Sequence, residues 1–222
     1  MSTLSIVATP IGNLSDITFR SIEVLKSVDI ILAEDTRTSS KLLKHYKISA
    51  KVDSFHMYNE HKKLNSIIKK IKDGTSMALI SDSGTPGISD PGFLLVRECI
   101  KNGINVECLP GPTALIPALI LSGMPSEKFV FEGFLPVKKG RTKRLNELSN
   151  EKRTLIFYES PHRIEKTLND LSLIFGDSKK ISVSREISKK FENTFRGTIL
   201  ESIEFYNDNK PKGEFVIVLS PN

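Results

Sequence analysis

Short apolar, β-branched runs recur along the chain at residues 4–9, 28–34, 77–82, 104–109, 155–159, 181–186 and 215–220, and each predicts a strand. Between them, residues 17–28, 64–72, 91–101 and 161–175 carry apolar positions at helical spacing. Strand alternating with helix argues for an α/β fold with mostly parallel sheets. The strand that ends at Leu109 runs into Pro110-Gly111-Pro112, which ends regular pairing and turns the chain. A domain boundary is expected there. Residues 1–112 would form an N-terminal α/β domain, and residues 113–222 a C-terminal one that opens with an apolar helix at 113–121 and holds three or four strands.

Composition narrows the class. With 39% hydrophobic and 26% charged residues in 222, the chain reads as folded throughout. No stretch approaches the roughly 20 apolar residues that span a bilayer, and the start lacks a basic segment leading into a long apolar core, so no membrane role and a cytoplasmic location are expected. Cys99 and Cys108 lie in or beside apolar runs and read as buried thiols. His45, His56, His61 and His162 show no ligand spacing, and no metal is expected. A net charge of +6 favours an anionic partner. The densest basic cluster, Lys138, Lys139, Arg141, Lys143 and Arg144, suits phosphate contacts, whereas Lys62-Lys63 and Lys69-Lys70 read as solvated helix faces.

Open α/β sheets bind ligands just outside the carboxyl ends of their strands. Two loops in such positions, Thr9-Pro10-Ile11-Gly12-Asn13-Leu14 and Glu34-Asp35-Thr36-Arg37, are weak signals singly. A third is strong: residues 81–92, SDSGTPGISDPG, set three glycines and two prolines between a strand and a helix, so backbone can approach a ligand closely on a rigid loop. Asp82 stands at the strand end. Asp90 reads as the cap of a helix with Pro91 in its first turn. Neither GxGxxG nor GxxxxGK[ST] occurs, which argues against a nucleotide triphosphatase and against the common methyltransferase glycine signature.

The succession TPIGNL (9–14), EDTR (34–37), SDSGTPGISDPG (81–92), LPGPTA (109–114), FEGFLP (131–136), FYESPHR (157–163), SREISK (184–189) and KGEF (212–215) closely resembles the tetrapyrrole-methylase-like family, in particular its members that methylate small-subunit ribosomal RNA. The resemblance runs in the same order from near the first residue to near the last. Many members continue into a small, basic, helical extension, whereas this chain stops at Asn222; a short member and a truncated chain both remain open, and RNA affinity or site choice is what the difference touches.

The resemblance implies two α/β domains with S-adenosylmethionine in the cleft between them, a homodimer, and 2′-O-methylation of a cytidine in the decoding region of 16S ribosomal RNA. By position it implies cofactor contacts from Pro10, Asp82, Gly84, Thr85, Ile88, Thr113 and Ala114, with Tyr158, Arg185, Gly213 and Glu214 from the second domain. Arg37 joins the basic cluster as an RNA contact. A ribose hydroxyl is a poor nucleophile until its proton is taken, and Glu34, Asp35 and His162 are the candidate general bases by loop position. Asp35 reads equally as a partner of Arg37 or a helix cap, His162 as a residue of a helix start, and Glu186 as a residue that orders its loop. The rival enzyme is a tetrapyrrole C-methyltransferase of the same fold. The rival from another class is a ribosome-binding module without catalysis.

Overall fold

The computed structural model describes residues 3–221, which fall into two compact units, one ending at Thr113 and the other starting at Ala114. The first runs β1 (Thr3–Val7), α1 (Phe19–Ser27), β2 (Ile30–Ala33), α2 (Thr36–His45), β3 (Lys51–Ser54), α3 (Glu60–Lys72), β4 (Met77–Ile80), α4 (Phe93–Lys101) and β5 (Asn105–Leu109). Its sheet is wholly parallel, in the order β3-β2-β4-β1-β5. The central strands are apolar on both faces because helices cover both. Ile30, Leu32, Met77 and Leu79 pack with Ile67 and Ile71 of α3 and Leu95 of α4, while Ile31, Ala33, Ala78 and Ile80 pack with Leu25 of α1 and Leu42 and Leu43 of α2.

The topology creates one natural ligand position. Chain leaving β1 runs towards β2 and β3, whereas chain leaving β4 runs the other way to β5. Since β4 lies on the β2 side of β1, the two connections cross, one on each face of the sheet, with α1 packing on one face and α4 on the other, and their loops leave the neighbouring carboxyl ends of β1 and β4, where open α/β sheets bind ligands.

The second unit runs α5 (Leu115–Ser122), β6 (Phe129–Phe134), α6 (Arg141–Leu148), β7 (Thr154–Glu159), α7 (Ile164–Phe175), β8 (Lys180–Arg185), β9 (Asn193–Thr198), α8 (Ile199–Asp208) and β10 (Phe215–Leu219). Its order is β6-β7-β10-β8-β9, and only β6 and β7 are parallel. The expectation of mostly parallel sheets therefore fails here. Residues 186–192 are too few for a crossover, so β8 and β9 pair antiparallel, and β10 returns between β8 and β7 in the opposite sense. The sheet has five strands, not three or four.

Three strands escaped the apolar pattern, β3, β6 and β9, and all three are sheet edges. Lys51-Val52-Asp53-Ser54 and Asn193-Thr194-Phe195-Arg196-Gly197-Thr198 are mostly polar, as edges that must not pair further tend to be. Cys99 is buried and its thiol is pushed up to about 11 by that burial, but Cys108 is exposed on the edge strand β5, against expectation. Among the described residues no helix is long and apolar enough to cross a membrane.

Candidate active site

Three loops meet over the β1–β4 seam. Thr9 and Gly84 exchange backbone hydrogen bonds, Thr9 N–H to Gly84 O at 2.8 Å and Gly84 N–H to Thr9 O at 3.0 Å. The Thr9 and Ser81 hydroxyls donate to the carbonyls of Ser81 and Gly84, both at 3.0 Å. Thr85 Oγ1 donates to Pro112 O at 3.0 Å, which ties in the segment after β5. The glycines are required by this geometry. Gly84 and Gly87 both sit at φ +84°, and a Cβ on Gly111 would stand 2.7 Å from the Ala8 Cβ. Pro10, Gly84, Thr85 and Ile88 thus share one scaffold, and Thr113 follows it directly. The expected cap is different: α4 starts at Phe93 with Gly92 as its N-cap, so Asp90 and Pro91 belong to the turn before it, where Gly92 at φ +138° redirects the backbone into the helix.

The carboxylates follow the ends of β4, at the seam, and of β2, one strand over. Asp35 accepts the Arg37 N–H at 2.8 Å as the N-cap of α2, and its carboxylate is clasped by the Arg37 guanidinium, with Nη2 to Oδ2 at 2.6 Å. That clasp holds the Asp35 carboxyl down to about 2, which leaves it a weak base. The structure thus shows both the cap and the Arg37 pair that were expected of Asp35 beside catalysis. Asp82 Oδ1 accepts the Asp35 N–H at 3.0 Å and so ties the two loops together. Partial burial pushes the Asp82 carboxyl upward, the Asp35 N–H pulls it back, and the Asp35 charge adds to the rise. Half-buried Glu34 is raised as well, first by burial and then by the charge of Asp82. Of the two adjacent carboxylates, Glu34 is the one raised and Asp35 the one lowered.

His56, just after β3, bears on the charge of Glu34, and sequence reasoning missed it. Phe55 N–H donates to Ala33 O at 2.7 Å, which continues the pairing of β2 with β3 beyond Ser54. The one available signal was His56 itself, just after a strand too polar to be noticed.

In the second unit FYESPHR supports structure. Glu159 is buried; Arg163 pairs with it at 2.8 Å and Thr167 Oγ1 donates to it at 2.6 Å. Arg141, placed among the RNA contacts from sequence, is only 5% exposed, paired with Asp170 at 2.6 Å and donating to Thr167 Oγ1 at 2.8 Å. It completes a buried network and cannot reach a phosphate. Arg144 is engaged by Glu132 and, at 2.9 Å, by Glu147. Lys138, Lys139 and Lys143 are exposed, as is Arg37. His162 is exposed on the turn before α7, one residue ahead of the Arg163 N-cap.

SREISK and KGEF interlock. Arg185 Nε donates to Lys212 O at 2.6 Å, and Lys189 Nζ lies 2.8 Å from both Glu186 and Glu214. Glu186 adopts φ 54°, and a Cβ on Gly213 would collide with its carboxylate. Glu186 does order its loop. Arg185, Gly213 and Glu214 are therefore set on one stiff corner. Tyr158 is held edge-on by Phe131 and Phe134 at 4.9 and 5.8 Å, and Ala114 N-caps α5.

This donor set fits a charged nucleoside. Glycine-opened backbone at the seam supplies hydrogen-bonding groups at close approach, and Asp82 is an acceptor that no ion pair neutralises among the described residues.

Residues 3–202 match the tetrapyrrole (corrin/porphyrin) methylases. The chain belongs to that family. Within it, the chain is 47% identical over 221 residues to a protein of Synechocystis sp., covering 99% of this chain and 79% of that one, and 46% identical to one of Thermotoga maritima, covering 99% of both; each is named ribosomal RNA small subunit methyltransferase I. Among solved structures it is similar to a cobalt precorrin-4 methyltransferase, with a TM-score of 0.70 at 16% identity over 99% of this chain and 95% of that one. A diphthine synthase gives 0.77 at 10% identity over 99% and 90%. At such identities these two speak to fold alone.

Proposed function

We propose that this chain is an S-adenosylmethionine-dependent methyltransferase that modifies the 2′-hydroxyl of a cytidine in 16S ribosomal RNA, acting on the small ribosomal subunit in the cytoplasm as a homodimer. The observation that carries the reading is the 46% identity over 99% of both chains to the Thermotoga maritima protein of that printed name. Pro10, Asp82, Gly84, Thr85, Ile88 and Thr113 would hold the cofactor from the first unit, and Ala114, Tyr158, Arg185, Gly213 and Glu214 from the second. When bound, it supplies an electrophilic methyl group on a sulfonium.

The chain's own residues then have two tasks. The rigid loops fix the reacting groups at near-attack geometry, which in well-oriented systems accounts for roughly 7–11 kcal/mol of a barrier. Glu34 takes the hydroxyl proton, and its raised pKa makes it the stronger base of the two neighbouring loop carboxylates. Incubating unmethylated small subunits with the protein and methyl-labelled cofactor, then mapping the label, tests this directly. Label on one cytidine ribose is expected. Transfer to a porphyrin precursor instead would select the tetrapyrrole reading, and cofactor binding without transfer to either would leave a binding module.

A further inference from the structure

The carboxyl ends of β6 and β7 carry an aromatic side chain that the reaction as described does not use. Residues three apart on a regular strand face opposite sides of the sheet. On β6 they do not: the register against β7 slips between Phe131 and Gly133, and Gly133 sits at φ +66°. That bulge brings Phe131 and Phe134 onto one ring, Tyr158, at 4.9 and 5.8 Å between centroids. Bulges that re-aim a side chain gather beside functional sites. The side chain re-aimed here is Phe134, which stays 50% exposed.

Its neighbours restrict what would cover it. The Arg163 guanidinium stands over the Phe134 ring, 5.8 Å from the centroid. It is held there, because Nη2 pairs with buried Glu159 at 2.8 Å and Nη1 donates to Leu135 O at 3.3 Å. Arg141 Nη1 donates to Pro136 O at 3.2 Å and fixes the next residue of the same loop. The ring is therefore rigid, half open and set beside a fixed cation. The loop continues to Lys138 and Lys139, both exposed, on a turn closed by Arg141 N–H to Lys138 O at 3.3 Å. The acidic residues of β6 and β7, Glu132 and Glu159, are each engaged by an arginine, so positive charge is what this end offers. A purely apolar partner would leave the lysines unmatched. A single-stranded nucleic acid matches both features, with phosphates for the lysines and flat bases for the ring.

We propose that Phe134 is a nucleobase platform: an unpaired base of the RNA segment that carries the target ribose stacks on the open side of its ring, with Lys138 and Lys139 on the flanking phosphates. The inference rests on the ribosomal RNA reading above and adds how the strand is held. Sequence-tolerant stacking on aromatic rings is the common way in which proteins grip bases splayed out of an RNA. No bond forms or breaks at the platform, and its contribution is to binding.

The chain has no tryptophan, so Phe134→Trp places a single reporter on the platform. A short single-stranded oligoribonucleotide of mixed sequence should quench its emission, whereas an abasic oligonucleotide of the same length, which offers phosphates alone, should not. Equal responses to the two, or bound RNA without quenching, overturn the proposal. Phe134→Ala and Phe134→Leu should each weaken binding of the oligoribonucleotide roughly tenfold. Binding of the abasic strand, the salt dependence and cofactor affinity should stay at wild-type values. Leucine keeps the apolar bulk and removes only the π face, so a Phe134→Leu protein that holds RNA like the wild type sinks the idea. A parallel loss of cofactor affinity sinks it too, since Phe134 would then act through Tyr158. If the short RNA does not bind, unmethylated small subunits take its place: Phe134→Leu should raise their KM roughly tenfold, and a wild-type KM counts against the platform. Base-dependent quenching in a protein that methylates no RNA refutes the function and leaves the platform standing. Label on a cytidine ribose at wild-type KM in Phe134→Leu does the reverse.

Discussion

At the scale of single residues, two adjacent carboxylates, Glu34 and Asp35, are driven apart by their partners. Arg37 stabilises the charge of Asp35, while burial and Asp82 destabilise the charge of Glu34. A carboxyl raised in the folded state contributes stability below its ordinary pKa and loses it as pH rises through the folded value. At neutral pH the ionised Glu34 therefore weakens the fold that carries it, a compromise often met at active sites. Glu34→Gln should abolish that cost and raise the melting temperature at pH 7 while lowering kcat by roughly 10²-fold or more. A less stable Glu34→Gln protein, or one that transfers methyl groups at the wild-type rate, would show that the carboxylate is structural. The raised carboxyl is not visible in the sequence. It comes first from burial and then from the charge of Asp82, 48 positions away and brought near by the pairing of β2 with β4.

Among the elements, sequence legibility followed burial. Strands β1, β2, β4, β7, β8 and β10 bury nearly every side chain and stand out as apolar runs. The edge strands β3 and β9 bury little and read as loops. Helix α2 was signalled only by its cap Asp35, because Leu42 and Leu43 are its only buried apolar residues, and α6 was missed because its basic residues suggested a phosphate contact while its buried Arg141 could not be distinguished from the exposed Lys143. Helix α8 did carry a signal, Thr198 followed by Glu201 three positions on, and the structure forms the full capping box. Thr198→Ala should cost about 1 kcal/mol, measured by denaturant unfolding; no change would mean that packing of Ile199 and Tyr206 alone holds the helix start. The cap of α2 makes a pH-dependent counterpart. Asp35, held down to about 2, contributes stability that is complete above its ordinary value of 3.8 and fades as pH falls through about 2. In Asp35→Asn that part of the acid dependence should vanish from melting curves taken across this window.

For the whole molecule, the order of motifs was enough to suggest the family, because ligand loops follow strands in a fixed succession that no single motif conveys. Charge was harder to read. The net charge of +6 is a property of composition, but which cations meet solvent is decided by folding. Of the five in residues 138–144, Arg141 is engaged by Asp170 and Thr167, and Arg144 by Glu132 and Glu147, while Lys138, Lys139 and Lys143 face solvent. These two groups should respond differently to mutation. Replacing the three lysines with alanine should weaken binding to small subunits and flatten the dependence of log affinity on log salt by roughly 2, since each lost phosphate contact on single-stranded RNA removes about 0.7. Cofactor affinity and melting temperature should stay at wild-type values. Arg141→Ala should act through the fold, because it strands Asp170 and leaves Thr167 without its donor inside the second unit; breaking a buried pair in this way costs about 3–5 kcal/mol. A salt series of subunit binding, run beside thermal melts of both variants, separates the two effects. If the triple lysine variant keeps the wild-type salt slope, residues 138–143 are merely solvated and the RNA docks elsewhere; if Arg141→Ala melts like the wild type, the network around Glu159 does not hold the second unit together.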